Sequence, residues 1–330
     1  MVRLIRVTLL GFDGGFASTL VGPVEILRLA GVADRVIGGR RGRPRFRAAV
    51  ASLSGAAIDC GTGLWVKADK TFDPDEPADV LFLASGGPEL FERTDWEAAV
   101  LPALRQAHAR GTVIVSLCAG VFALARAGLL NGRRATTHWA YAARLAREYP
   151  LADVRASQMI TDDGNVICGG GVNAATDLAL YLVERFCGHD EARALANALV
   201  LDRPRAAQSG YANWGRSDGH GDAAVAGAQA VIADAPESSL TVDGLARQLG
   251  LTPRTLARRF KAATGETVIE YVQRLRVALA RELLERERLS VETVARRVGY
   301  EDVAFFRRLF RKHTGSTPSA HRQRVRPRVA

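Results

Sequence analysis

Cys118 stands in the run Ser116-Leu117-Cys118-Ala119-Gly120, where an apolar, strand-like stretch passes abruptly into a helix-forming one. A thiol at a helix N-terminus lies near the positive end of the helix dipole, which favours thiolate and lowers the pKa. In apolar surroundings a buried structural cysteine is the commoner outcome, and the residues alone favour it. A second loop, Ser85-Gly86-Gly87, follows the run Asp79-Val80-Leu81-Phe82-Leu83-Ala84. Adjacent glycines let backbone N–H groups come close to an anion or a developing oxyanion, although an ordinary tight turn has the same composition. Both loops leave the carboxyl ends of expected strands, where open α/β sheets build their ligand sites.

A different chemistry is concentrated in the last third of the chain. Residues 226–330 hold 20 Lys+Arg against 11 Asp+Glu, whereas residues 1–225 hold 25 against 24, so nearly all of the net charge of +10 belongs to one segment. A local arginine excess suits a polyanion, because each neutralised phosphate releases condensed counterions. The same segment repeats itself. Leu240–Gly250 (LTVDGLARQLG) recurs as Leu289–Gly299 (LSVETVARRVG) at an offset of 49, and after one inserted residue Arg258, Phe260, Thr264 and Gly265 match Arg308, Phe310, Thr314 and Gly315 at an offset of 50. One supersecondary unit has been used twice.

Each copy begins with apolar residues at i, i+3, i+4 and i+7: Val242, Leu245, Ala246, Leu249 and Val291, Val294, Ala295, Val298. That spacing predicts a short helix. Gly250 and Gly299 follow, where a left-handed terminating residue is needed. Thr252 and Pro253 open the second helix of the first copy as N-cap and first helical residue, and Glu301 and Asp302 lead that of the second. Helix, glycine turn and helix make a helix-turn-helix. The second helices bury Leu256 and Phe260, or Phe306, Leu309 and Phe310. Their opposite faces carry Arg254, Arg258 and Lys261, or Ala304, Arg308 and Arg311, with Arg307 adjoining, and these basic residues are the candidate DNA contacts. Between the copies, Glu266 to Glu287 contains no proline or glycine and keeps helical apolar spacing, which predicts one long helix.

From about Ala224 to Arg324, including GYEDVAFFRRLFRKHTGSTPSAHR, the sequence resembles the DNA-binding domain of the AraC/XylS family. The resemblance implies base contacts by Arg254 and Arg258 from the first recognition helix and by Arg308 from the second. Val303, Ala304 and Phe305 stand where family members often carry polar readers, so the second unit is expected mainly to position the protein.

Residues 1–205 alternate strand-like runs (VTLLGF, FRAAVAS, DVLFLAS, TVIVSLC) with helical stretches, the pattern of a mostly parallel sheet covered by helices. Residues 206–223 lack periodicity and read as a linker, leaving residues 224–330 as the DNA-binding domain. The stretch CAGVFALARAGLLNGRRATTHW from Cys118 to Trp139, with VGPVEIL and TDDGNVICGGGVNAATDLALYLVERFCG, resembles the ThiJ/PfpI or class I glutamine amidotransferase-like superfamily. In particular it is similar to the GlxA-type regulators, which fuse that domain to an AraC-type one. The implied fold is flavodoxin-like, with helices on both sheet faces, followed by an all-α domain. In enzymes of the superfamily the elbow cysteine is the nucleophile and a histidine such as His138 lies nearby. Some members place an acidic residue four positions before the proline of the first helix, against that cysteine; here the proline is Pro23 and the position is Thr19. Without a base and an orienting carboxylate, nucleophilic catalysis lacks part of its machinery. Glu25 is expected to cap or buttress the first helix.

The expected activity is therefore that of a non-enzymatic transcription regulator. Its partners are double-stranded promoter DNA, RNA polymerase and a small nitrogen-containing effector bound near Gly86, Gly87, Cys118 and His138, and it acts as a homodimer. The alternative is a cysteine-dependent amidohydrolase or carbonyl-detoxifying enzyme centred on Cys118. Cys60, Cys118, Cys168 and Cys187 show no metal or disulfide spacing, so no metal or cofactor is expected, and a reduced, cytoplasmic compartment fits best. No apolar run approaches a membrane span of about 20 residues. His108, His189 and His220 read as surface residues, and Trp65 and Trp96 as pocket or core residues.

Overall fold

The structure, a computed structural model, describes residues 3–33, 42–61, 63–92, 94–202, 208, 222–238 and 240–325. It divides into two compact units, Met1–Gln208 and Ser209–Ala330. The segment read as a linker lies outside the described residues except for Gln208, Asp222 and Ala223.

The first unit contains strands β1 (Ile5–Leu10), β2 (Phe46–Ser52), β3 (Ile58–Asp59), β4 (Trp65–Val66), β5 (Lys70–Thr71), β6 (Val80–Leu83), β7 (Val113–Leu117), β8 (Arg134–Ala135), β9 (Asp153–Val154), β10 (Ile160–Asp163) and β11 (Val166–Gly169). Its helices are α1 (Ser18–Leu29), α2 (Thr94–Ala109), α3 (Val121–Arg126), α4 (Ala142–Glu148), α5 (Ala174–Cys187) and α6 (His189–Ala198). The main sheet runs β10-β11-β7-β6-β1-β2-β5, and β10 alone pairs antiparallel within it. Its central strands stand in the order second, first, third, fourth, fifth along the chain, the flavodoxin-like arrangement.

Alternation along each strand sends neighbouring side chains to opposite faces. Val7, Leu9, Val80, Phe82, Val113, Val115 and Leu117 pack with α1, α5 and α6, whereas Leu10, Leu81, Leu83 and Ile114 pack with α2 and α3. Both faces are therefore covered, which is why the strands read as nearly continuous apolar runs. Trp96 is buried in an edge-to-face aromatic cluster with Phe12 and Phe91, whereas Trp65 is exposed. Glu25 departs from expectation: it is exposed in the middle of α1, whose N-cap is Ala17 with no side-chain capping bond.

The second unit is helical: α7 (Ala223–Asp234), α8 (Val242–Gln248), α9 (Pro253–Thr264), α10 (Val268–Arg286), α11 (Val291–Arg297), α12 (Val303–Thr314) and α13 (Pro318–Val325). Helices α8 and α11 start 49 residues apart and α9 and α12 start 50 apart, matching both sequence offsets. Thr241, Thr252, Thr267, Ser290 and Asp302 cap their helices with side-chain oxygens. Gly265 and Gly315 end α9 and α12 in the left-handed conformation. The long helix α10 serves two small cores. Val268 and Tyr271 pack with α7, α8 and α9, and Val277, Ala280 and Leu284 pack with α11 and α12.

Candidate functional site

In the first unit the loops of interest leave the carboxyl ends of adjacent parallel strands: β6 into Ser85-Gly86-Gly87, β7 into Cys118, and β11 into Gly170-Gly171. Cys118 opens a 3-10 turn, Cys118–Gly120, that leads into the short α3. Its φ of 54° is in the left-handed region, which a side chain occupies at a cost of about 1–3 kcal/mol. The turn thus aims the cysteine differently from a smooth strand-to-helix passage. Thr137 Oγ1 donates to the Cys118 carbonyl at 2.8 Å and pins the elbow.

The electrostatics run opposite to the helix-terminus expectation. Burial pushes the Cys118 thiol up, and the Ser85 hydroxyl and backbone groups of Ala119 and His138, which bond to the sulfur and favour thiolate, do not offset it. A charged sulfur loses more hydration here than a turn and a six-residue helix return. The position before Pro23 supplies no carboxylate. The Thr19 hydroxyl instead donates to the Phe16 carbonyl at 2.6 Å and accepts the Ser85 N–H at 3.2 Å, tying α1 to the glycine loop.

The structure brings His138 to the same place. Its Nδ1 accepts the Ala140 N–H at 3.2 Å, which leaves the proton of the neutral ring on Nε2. Burial lowers its pKa, so the imidazole is the neutral form at neutral pH. The ring lies among Trp139, Tyr141 and Gly171, where an added Cβ would come within 3.3 Å of His138 Cδ2. Burial also raises Tyr141, helped by its proximity to Cys118 and Glu89.

Gly86 and Gly87 have separate reasons to be glycine. A Cβ on Gly86 would strike Leu90 at 2.1 Å and approach the Gly14 carbonyl oxygen at 3.1 Å, and one on Gly87 would meet the Glu89 carboxylate at 2.5 Å. The loop is therefore close-packed and has an acid beside it, which favours hydrogen-bonding or cationic ligands over anions. Neutral thiol, neutral imidazole, hydroxyls and one carboxylate suit recognition better than nucleophilic attack.

In the second unit Arg254, Arg258 and Lys261 are exposed on α9, and Ala304, Arg308 and Arg311 are exposed at the equivalent positions of α12. Arg308 leans over Phe305 at 6.0 Å. Arg307 lies off that face, paired with Glu292 of α11 at 2.7 Å. The neighbouring Arg259 holds Asp222 through two bonds, at 2.8 and 2.6 Å, so it docks α7 rather than facing outward.

Residues missed in the sequence organise both units. Arg276 donates to the carbonyls of Pro236 (2.7 Å), Ser238 (2.7 Å) and Gly299 (2.9 Å) and lies over Tyr300. It thereby ties the connection before α8 to the turn of the second helix-turn-helix. Arg259 had a readable signal, since the repeat places an apolar Leu309 at its equivalent position. Gln208, buried in the first unit, had none. Of the remaining histidines, His189 pairs with Glu184 at 2.9 Å, His108 is half-buried and His220 lies outside the described residues.

Comparison with known proteins assigns both units. Residues 6–185 match the DJ-1/PfpI family and residues 245–324 match a helix-turn-helix domain. The chain is 29% identical over 288 residues to the HTH-type transcriptional regulator GlxA of Rhizobium meliloti (strain 1021), covering 86% of this chain and 87% of that one. It is 35% identical over 139 residues to an isonitrile hydratase of Pseudomonas putida, covering 41% of this chain and 58% of that protein. Drosophila melanogaster DJ-1beta superposes with a TM-score of 0.51 at 20% identity, over 61% of this chain and 100% of that structure, a likeness of fold.

Proposed function

The chain belongs to the DJ-1/PfpI family, with an AraC-type helix-turn-helix domain behind it, and from that premise we propose a transcription regulator that binds promoter DNA through both helix-turn-helix units. Its first unit senses a small nitrogen-containing metabolite near Gly86, Gly87, Cys118 and His138. The observation that carries the DNA reading is the duplicated basic face: Arg254, Arg258 and Lys261 on α9, with Arg308 and Arg311 repeated on α12, all exposed. The similarity to GlxA spans both units and supports the same reading, whereas the similarity to the hydratase covers less than half of the chain. Cys118, with its thiol pushed up and Thr19 where a carboxylate would stand, is a pocket residue and not a nucleophile in this reading. The regulator works as a homodimer in the cytoplasm, where promoter DNA and RNA polymerase are found.

The direct test is a gel shift on the upstream region of its own operon. Each base-reading arginine contributes about 1–3 kcal/mol, so an Arg254→Ala/Arg258→Ala variant should bind at least about 30-fold more weakly. Undiminished binding by that variant overturns the assignment.

A further inference from the structure

Gln208 sits in a stretch rich in Gly, Ser and Asn, yet it is only 2% exposed. Its side chain fills a polar socket in the first unit. Nε2 faces four acceptors: Thr136 Oγ1 (3.2 Å), Thr137 O (2.6 Å), Ala156 O (3.0 Å) and Gln158 O (3.2 Å). Oε1 accepts the Trp139 N–H at 3.2 Å, and the backbone N–H donates to Ser157 O at 3.0 Å. The Thr136 hydroxyl spends its proton on Gln158 O at 2.8 Å, so it offers only lone pairs to the occupant. Gly170 makes the room, because a Cβ there would come within 2.7 Å of Oε1.

A carboxamide nitrogen has two protons and cannot satisfy four acceptors. A primary ammonium brings three and a guanidinium five, and either adds a positive charge to a ring of oxygens. We propose that this socket is a binding site for the ammonium or guanidinium group of a small ligand, and that Gln208 is its built-in competitor. A ligand enters by displacing the Gln208 side chain and so loosens the hold that the Gln208 backbone N–H keeps on Ser157 O. The socket shares a wall with the Cys118 site, since Thr137 gives its carbonyl to Gln208 and its hydroxyl to Cys118, with His138 next in the chain. The consequence for transcription rests on the regulator reading; the binding does not.

The test uses the full chain with methylguanidinium and methylammonium as probes, tetramethylammonium as a cation without N–H groups, and acetamide as a neutral amide, compared by calorimetry at constant ionic strength. Gln208→Ala should bind methylguanidinium at least tenfold more tightly than the unaltered protein, with acetamide weaker and tetramethylammonium not bound. Gln208→Glu keeps the size but sets a carboxylate against oxygens, so it should leave the socket; trypsin should then cut after Arg205, which Ala206 follows, without any probe. The unaltered protein should become equally sensitive only when saturated with methylguanidinium. Equal methylguanidinium affinity with and without Gln208, or tetramethylammonium binding as well as methylguanidinium, overturns the proposal. If those results come from protein that still shifts promoter DNA, this inference alone falls. If the probes bind as expected and DNA does not, it is the regulator reading that falls.

Discussion

Cys118 combines a left-handed backbone with burial, and the two act on different things. The φ of 54° re-aims the side chain at the mouth of the sheet, while burial sets its protonation. A raised thiol pKa favours the neutral form in the fold, so the associated stabilisation is complete below the unfolded thiol pKa and is lost as pH rises through the folded one. Alkylation by iodoacetamide should accordingly show Cys118 reacting more slowly than the half-buried Cys187 at pH 7, with its pH midpoint above the ordinary thiol value; a rapidly reacting, acidic Cys118 would restore the case for catalysis. Cys118→Ser should leave DNA binding within about twofold, because Cys118 belongs to the first unit and the candidate DNA contacts to the second, and sites that share no partners couple by no more than about 0.5 kcal/mol. The elbow itself was legible in Ser116-Leu117-Cys118-Ala119-Gly120, and so was the missing acid at Thr19. The direction of the thiol shift was not, since it depends on how completely Ser85, His138 and Tyr141 close over the sulfur, and those residues are distant in sequence.

At the scale of elements, the helical unit was almost fully written in its repeat, because caps, glycine stops and apolar spacing are local properties. What periodicity could not supply is how one element is locked to another. Asp222 does this for α7: it caps the helix through the Ala224 and Val225 N–H groups and grips Arg259 of α9. The Arg259 hydrogen bonds lower its carboxyl to about 2. The folded value lies below the unfolded one, so this contribution is present above about pH 4 and is lost as pH falls toward 2. Asp222→Ala should cost about 1 kcal/mol from the cap alone, and its melting temperature should converge on that of the unaltered chain as pH drops from 5 to about 2.5. Arg276 locks the two helix-turn-helix units together through carbonyls on both sides of α10. Gly299 completes that joint: its φ is 84°, and a Cβ would meet the Glu237 carbonyl oxygen at 2.5 Å. Arg276→Met should therefore weaken binding to a full operator at least about tenfold, yet change binding to one isolated half-site by less than about threefold, since it removes the joint and no candidate DNA contact. Equal losses on both DNAs would mean that Arg276 acts through folding alone.

For the whole molecule, the division of labour follows from charge and chain order. The sequence confines its net positive charge to the helical unit, and the α/β unit ahead of it is nearly neutral. The layered sheet could be anticipated from alternating strands and helices, but the seat of Gln208 could not, because its partners lie about 50 to 72 positions away and its neighbours carry no periodic signal. The helical unit makes a geometric demand on its DNA. The 19 residues of α10 span about 28 Å at 1.5 Å per residue, near the roughly 34 Å of one B-DNA turn, so the recognition helices α9 and α12 suit consecutive major-groove segments on one side of the duplex. Inserting about 5 base pairs between the half-sites turns the second half-site to the opposite side and should reduce affinity to that of the first half-site alone, while about 10 base pairs restores the face but exceeds the reach of α10 and should not recover it. Salt separates the two contributions. Each phosphate contact adds about 0.9 to the slope of log affinity against log salt, so the full operator should have a steeper slope than the 5-base-pair insertion by the contacts that Arg308 and Arg311 supply. A spacing-insensitive affinity with an unchanged slope would show that α12 does not reach DNA, leaving α9 to bind it unaided.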